Sequence, residues 1–472
     1  MLALLLILLA PLIFIIPVAV LPERYALKIA LASSSIVLVL VAYAVIYANF
    51  YGFGYIQSSF PYLPGLQFSF SLNAISQILV ILTSLLLFAS SLLLQSYIKE
   101  SRKLYAVLYL VISSSLLGVF LSSNLLPMYM FWEISEVVMF LMIYSFGGYN
   151  RRYASIKFLI FSVVSSLLLL LGIMLIYVGN SSHSLNIQYL ISTKSLTPGI
   201  ALAAFVVLML SFSIKLPVFP FHTWLPDAYF ESPTPSTILL SGVMSKFGAY
   251  GMLLLFLMTP FASAYAKILA MAFAFSAFYA SFLAIRQQNL KTSIAYISML
   301  DMAIIAMGLS SFSPLGYAGA LYAMLSHGFV IALAFAIVGV VDESFGTTLI
   351  DKVRGIAKSM KGLAYSFVFT SFAIVGLPAT STFIGDLLIF LSLVHSFSLA
   401  GIIPLLAVLM IGIFMFWIVA KMFFNVAEAI EPYSFPSRNS LLAITLLISF
   451  ILLFGVFPSL LVSPLNAAFA TV

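Results

Sequence analysis

Seven ionisable residues stand inside stretches that are otherwise apolar, and their types are those a proton relay needs. Glu133 and Glu136 are three apart and so share one helical face. Lys215 comes just before the prolines of Leu216-Pro217-Val218-Phe219-Pro220, Lys246 follows in the next apolar run, and Asp301, His327 and Asp386 come later, each in its own run. A charge at mid-membrane costs about 2.5–3.5 kcal/mol on insertion scales, so each of these groups requires a partner or a function. Any one alone, His327 most readily, fits a pair that only fixes helix packing. In series they fit proton transfer, because each hop needs a donor and an acceptor within hydrogen-bond reach, directly or through a water.

Such groups must be held by elements that cross lipid. Of 472 residues 64% are hydrophobic and only 7% charged, with a mean hydropathy of +1.21, which excludes a water-soluble enzyme. Apolar runs long enough to cross a hydrocarbon core recur at 2–21, 27–49, 74–97, 104–122, 125–146, 154–179, 199–229, 236–258, 261–285, 291–311, 314–341, 362–394, 400–424 and 440–464. The spacing predicts an all-α polytopic membrane protein of fourteen helices in a single membrane domain, 1–472. The seventh and twelfth runs are overlong and carry internal prolines, at Pro217 and Pro220 and at Gly376-Leu377-Pro378, so both are expected to be broken helices. Glu133 and Glu136 then lie eight and eleven residues from one end of the fifth helix, roughly 12 and 17 Å deep at 1.5 Å per residue. Lys246 and Asp301 lie at comparable depth in the eighth and tenth helices, His327 in the eleventh, and Asp386 beyond the break of the twelfth. The connections are short except for 50–73, 180–198, 342–361 and 425–439.

The first run has no basic residue before it and is read as a retained helix whose first charges, Glu23, Arg24 and Lys28, follow it. Alternating loops then place sixteen of the twenty Lys and Arg on the cytoplasmic side and only Lys194 and Lys267 outside, which puts both termini outside and requires an even helix count. Lys157 and Lys421, near cytoplasmic helix ends, are read as interfacial anchors. The net charge of +7 follows from these loop flanks and implies no nucleic-acid partner. With no cysteine, disulfides, thiolate zinc sites, iron–sulfur clusters and cysteine nucleophiles are excluded. There is no Walker-type or dinucleotide glycine loop and no nucleophile elbow, and His183, His222, His327 and His395 are scattered. No cofactor or metal is expected, nor any redox chemistry in this chain.

The stretch Lys215-Leu-Pro-Val-Phe-Pro-Phe-His222-Thr-Trp224-Leu-Pro-Asp227-Ala, followed by Lys246, closely resembles the signature of the antiporter-like subunits of respiratory complex I, Mrp-type sodium/proton antiporters and membrane-bound hydrogenases. Phe131-Trp132-Glu133, Asn289-Leu290-Lys291, Ser326-His327-Gly328 and the run from Gly376 to Asp386 agree with it, so the resemblance is strong over about 100–425. An acidic residue at 386 is similar to the middle-sized complex I branch, and the chain stops soon after helix 14 without the long lateral helix of the largest branch. Tyr229 stands where a second histidine is often found, and Asp301 where histidine or asparagine is usual.

The resemblance implies two inverted five-helix repeats, helices 4–8 (104–258) and 9–13 (261–424), with helices 1–3 (1–98) and 14 (440–464) outside them. It implies proton translocation by one subunit of a multisubunit redox-driven pump, NADH:quinone oxidoreductase-like. A stand-alone Mrp-type sodium/proton antiporter, or a membrane partner energising inorganic-carbon or other small-solute uptake, are the alternatives. Glu133 would pair with Lys215, Lys246 would pass the proton to the second half, and His327 and Asp386 would take it outward. Glu136, His222 and Asp301 are accessory, Glu136 being partly redundant beside Glu133. Implied partners are other membrane subunits, further antiporter-like subunits among them, lipid, and protons or sodium. The implied location is an energy-transducing membrane, a prokaryotic plasma membrane.

Overall fold

The computed structural model describes residues 2–51, 57–63, 66–398, 401, 403–425 and 429–469. In chain order the elements are α1 (Leu2–Ile13), α2 (Ile15–Val20), α3 (Ala26–Tyr51), β1 (Gln57–Leu63), β2 (Leu66–Ser71), α4 (Ser76–Tyr97), α5 (Arg102–Leu121), α6 (Leu125–Phe146) and α7 (Arg151–Gly179). There follow α8 (Ile187–Thr193), α9 (Pro198–Lys215), α10 (Leu225–Glu231), α11 (Thr234–Leu239), α12 (Lys246–Met258), α13 (Ala266–Ile285), α14 (Leu290–Ser310) and α15 (Pro314–Phe345). The chain continues through α16 (Ile356–Ser359), α17 (Lys361–Val375), α18 (Ser381–Phe397), α19 (Ile403–Ile418), α20 (Arg438–Val456) and α21 (Ser459–Phe469).

Among the described residues thirteen helical segments are long and apolar enough to cross a membrane. The shorter α17 and α18 are consecutive and occupy the place of the twelfth expected span; counted as one interrupted helix they bring thirteen plus one to fourteen. The expected start of the thirteenth span, at 400, lies outside the described residues. α15 and the segment 234–258 are enclosed on all sides, whereas the spans in α3, α7 and α13 keep much of their surface outward, the pattern of a bundle whose rim faces lipid. Helix starts are fixed locally: the side chains of Asn124, Asn186, Asn289 and Ser313 accept from Leu126 N, Tyr189 N, Lys291 N and Gly316 N.

The expected loop 50–73 contains a β-hairpin. β1 and β2 pair antiparallel, Gln57 opposite Ser71 and Phe60 opposite Phe68, with an irregularity between Pro61 and Leu63. Ser123 N donates to Ser69 O at 2.9 Å and Ile187 N to Ser123 O at 2.9 Å, so hairpin, 122–124 and 185–187 form one surface, here called the hairpin face. The opposite, basic face joins its loops likewise: Gly148 N donates to Glu231 O at 2.9 Å, Leu290 N to Thr348 O at 2.9 Å and Ile430 N to Arg354 O at 3.1 Å.

Both expected breaks are present. After α9, Pro217 has no N–H to continue the ladder, Val218 N donates to Ser213 O at 3.3 Å, and the indole of Trp224 donates to Ile214 O at 3.0 Å. The Pro-x-His-x-Trp spacing thus supplies a side-chain cap for the helix it interrupts. After α17, Gly376 adopts φ +73°, a left-handed conformation that glycine takes at little cost, while Leu377 N donates back to Phe372 O at 3.1 Å and Pro378 follows.

Candidate functional site

Two buried pairs form the centre of the site. The first joins α6 to α9: Lys215 Nζ lies 2.6 Å from Glu136 Oε1, and both side chains are 2% exposed. Glu136 also accepts from Trp132 Nε1 at 2.7 Å and from Ser166 Oγ of α7 at 3.0 Å. Two hydrogen-bond donors and one ammonium, from three helices, therefore hold one carboxylate, and Lys215 lies over the faces of Phe158 at 5.1 Å and Trp224 at 5.9 Å. The expected partner was Glu133, and this is corrected. Glu133 is half-buried beside Tyr129, one of its oxygens is enclosed without a hydrogen-bond partner among the described residues, and it makes no ion pair with Lys215 there. The rotation of α6 directs the second acid, not the first, at α7 and α9.

The second pair joins α12 to α15. Lys246 Nζ lies 2.6 Å from His327 Nδ1 and donates to Ser241 O at 2.8 Å and Ser245 Oγ at 3.2 Å. A wide turn precedes Lys246: Ser245 N donates to Leu240 O, five residues back, at 3.1 Å. Such π-type turns recur at functional positions, and this one sets the ammonium against its own helix's carbonyl. When the lysine holds the shared proton the imidazole is neutral with its own proton on Nε2, the nitrogen that faces Ser298 Oγ at 3.1 Å and Asp301 Oδ2 at 3.9 Å.

Close backbone packing brings the pairs together. A Cβ on Gly248 would stand 2.7 Å from both Leu216 N and Phe212 O, so only glycine lets α12 approach the broken end of α9 this closely. Among the described residues no hydrogen bond or ion pair joins the two pairs directly. Beyond His327, Asp301 lies within electrostatic range of both Lys246 and Asp386. Asp386 lines a cavity of about 290 Å³ with Val375, Gly376, Phe383 and Leu405, where it is the single ionisable side chain among the described residues. His222 stands apart from both pairs, buried with Nδ1 unpartnered, its ring against Phe219 and Tyr279.

Several contributors escaped sequence reasoning. Trp132 and Glu136 are four apart, a legible helical pair, but Ser166 and Ser298 carried no signal among the chain's many serines. Lys157 does more than anchor: its Nζ pairs with Asp227 at 2.6 Å, tying α7 to α10. Lys421 pairs with Asp351 of the basic face, and its hydrogen bond holds that carboxyl below the usual carboxylate range.

A helical membrane bundle with two interrupted spans, and with buried lysines, a histidine and acids lying between them, defines an antiporter-type membrane subunit. Residues 122–414 match the family described as NADH:quinone oxidoreductase/Mrp antiporter, transmembrane, and the chain belongs to that family. It is 34% identical over 407 residues to NADH-quinone oxidoreductase subunit M of Rickettsia typhi, covering 84% of this chain and 81% of that one. It is 33% identical over 334 residues to NAD(P)H-quinone oxidoreductase chain 4 1 of Synechococcus sp. (strain JA-3-3Ab), covering 70% and 63%. A chain of respiratory complex I from Thermus thermophilus with bound NADH superposes with a TM-score of 0.90 at 27% identity, over 99% of both chains. A chain of the Mrp complex from Dietzia sp. DQ12-45-1b shares the fold, with a TM-score of 0.88 at 18% identity over 99% and 96%. The chain is a multi-span membrane subunit of the respiratory-complex type.

Proposed function

We propose that this chain translocates protons as one subunit of a redox-driven membrane complex of the NADH:quinone oxidoreductase type, in company with other antiporter-like subunits. The observation that carries the reading is the contact of Lys246 with His327, two titratable nitrogens 2.6 Å apart and enclosed between α12 and α15. Nitrogen bases that share a proton at mid-membrane transfer protons, whereas their positive charge repels a sodium ion. The route runs from the Glu136–Lys215 pair to Lys246 and His327, then by way of Asp301 to Asp386, with the segments 104–258 and 261–424 as its two halves. His222 and Glu133 lie beside it. Opening of the Glu136–Lys215 pair by a neighbouring subunit supplies the coupling.

The membrane is a prokaryotic plasma membrane, with both termini outside and the basic face toward the cytoplasm; the concentration of Lys and Arg in that face's loops supports this orientation. The test is proton uptake by vesicles carrying the purified complex, driven by electron transfer. Lys246→Met is expected to remove this subunit's share of the flux while the complex still assembles. Copurification of the chain without redox subunits, or unchanged flux in the variant, overturns the reading.

A further inference from the structure

The hairpin face carries a second cavity of about 290 Å³ that none of these steps uses. Its rim carries Ser71, Asn73, Ser122, Ser123 and Gln188, drawn from three separate segments. Its wall includes Tyr250 and Leu254, both on α12, the helix that begins with Lys246. At about 30 Å³ per water, this volume and the polar groups of its rim hold a cluster of several waters.

Two further observations point inward from that cavity. Past Lys246, α12 reads Phe-Gly-Ala-Tyr-Gly-Met-Leu-Leu-Leu-Phe-Leu-Met, and Tyr250 is its single side chain able to donate or accept a proton. Tyr250 is 2% exposed and its hydroxyl has no hydrogen-bond partner among the described residues, an arrangement that leaves the group to water. Deeper along α4, one turn past Asn73 and on the same face, Gln77 is buried with its Oε1 unpartnered. Tyr250 is four residues beyond Lys246, so the two share a helical face with Cα atoms about 6 Å apart.

We propose that this cavity is a water-filled antechamber through which Lys246 exchanges protons with the hairpin face, with the Tyr250 hydroxyl as the relay. The ammonium of Lys246 gives a proton, directly or through one water, to the phenol oxygen as the phenol O–H gives its own proton to cavity water. The phenol is returned unchanged, and one proton has moved from lysine to the cavity. Lys246 thereby has an opening on the hairpin face that does not pass through His327, Asp301 or Asp386. The inference rests on Lys246 carrying protons, as proposed above.

Because the chain contains no cysteine, one introduced thiol is unique within it. Leu254→Cys and, at the rim, Ser123→Cys are made in the assembled complex in sealed vesicles of both orientations and treated with a membrane-impermeant cationic methanethiosulfonate. Both thiols are expected to react from the hairpin face and not from the basic face, and reaction at Leu254→Cys to lower proton flux at least about tenfold. Should Leu254→Cys fail to assemble, reaction at Ser123→Cys gives the accessibility alone and Tyr250→Phe gives the flux, with a similar tenfold fall expected and partial return in Tyr250→His. Thiols unreactive from the hairpin face, or wild-type flux in both the modified Leu254→Cys and the Tyr250→Phe complexes, overturn the antechamber. Lys246→Met separates the two proposals: if it abolishes flux while the cavity variants leave it unchanged, only the antechamber falls.

Discussion

Replacing Glu136 by glutamine should stop proton translocation, and replacing Glu133 should not. Glutamine is isosteric: with its oxygen in the place of Oε1 it still accepts from Trp132 Nε1, now at 2.7 Å, and its amide, in the place of Oε2, donates to Ser166 Oγ, now at 3.0 Å. The substitution therefore removes the charge beside Lys215 and little else. Leaving one member of a buried ion pair uncompensated costs about 3–5 kcal/mol. The Phe158 and Trp224 faces, 5.1 and 5.9 Å from Nζ, return about 0.5–2 kcal/mol of that at most. The net cost is about 1–4.5 kcal/mol, and at its midpoint, about 2.8 kcal/mol, a charged Lys215 is disfavoured roughly a hundredfold, since each 1.4 kcal/mol is a factor of ten. Flux through this subunit should fall by that factor in reconstituted vesicles, with the complex intact on native gels. Glu133→Gln should change flux less than about threefold, because Glu133 makes no ion pair with Lys215 among the described residues and glutamine keeps an oxygen and a donor for Tyr129. Wild-type flux in Glu136→Gln together with loss in Glu133→Gln would refute the reasoning and return the working pair to Glu133 and Lys215.

Other perturbations separate further parts of the scheme. Asp386→Asn should stop translocation and Asp386→Glu keep most of it, with Asp301→Asn milder, measured as proton flux; wild-type flux in Asp386→Asn would leave Asp386 a cap on the broken helix. Gly248→Ala forces a methyl to within 2.7 Å of Leu216 N and should destabilise the fold by about 1–3 kcal/mol, read as a lowered melting temperature of the detergent-solubilised complex. Reporter fusions at Arg152 and Lys358 should read cytoplasmic and one at Lys194 external, and the reverse would invert the assigned orientation.

The number of spans, the places of the two breaks and the identity of the intramembrane charges were legible in the sequence because each is a local property. A run of about twenty apolar residues must cross lipid whatever surrounds it, a proline removes its own N–H, and a charge in such a run is costly in any tertiary setting. Pairing is not local. Three residues along an α-helix turn about 300°, so Glu133 and Glu136 present themselves to nearly the same side, and spacing does not choose between them. The rotation of α6 against α7 and α9 chose Glu136, where Trp132 and Ser166 already donate. The same holds for Lys157, an anchor by its position in the sequence and the partner of Asp227 only once α10 folds back on α7. The hairpin at 57–71 gives no sign in the pattern of apolar runs, and a tyrosine in an apolar helix carries no mark of the cavity that four distant segments assemble around Tyr250. Sequence fixes what each helix must carry; the angles and close approaches between helices fix which groups meet, since these depend on the packing of side chains from every neighbouring helix at once.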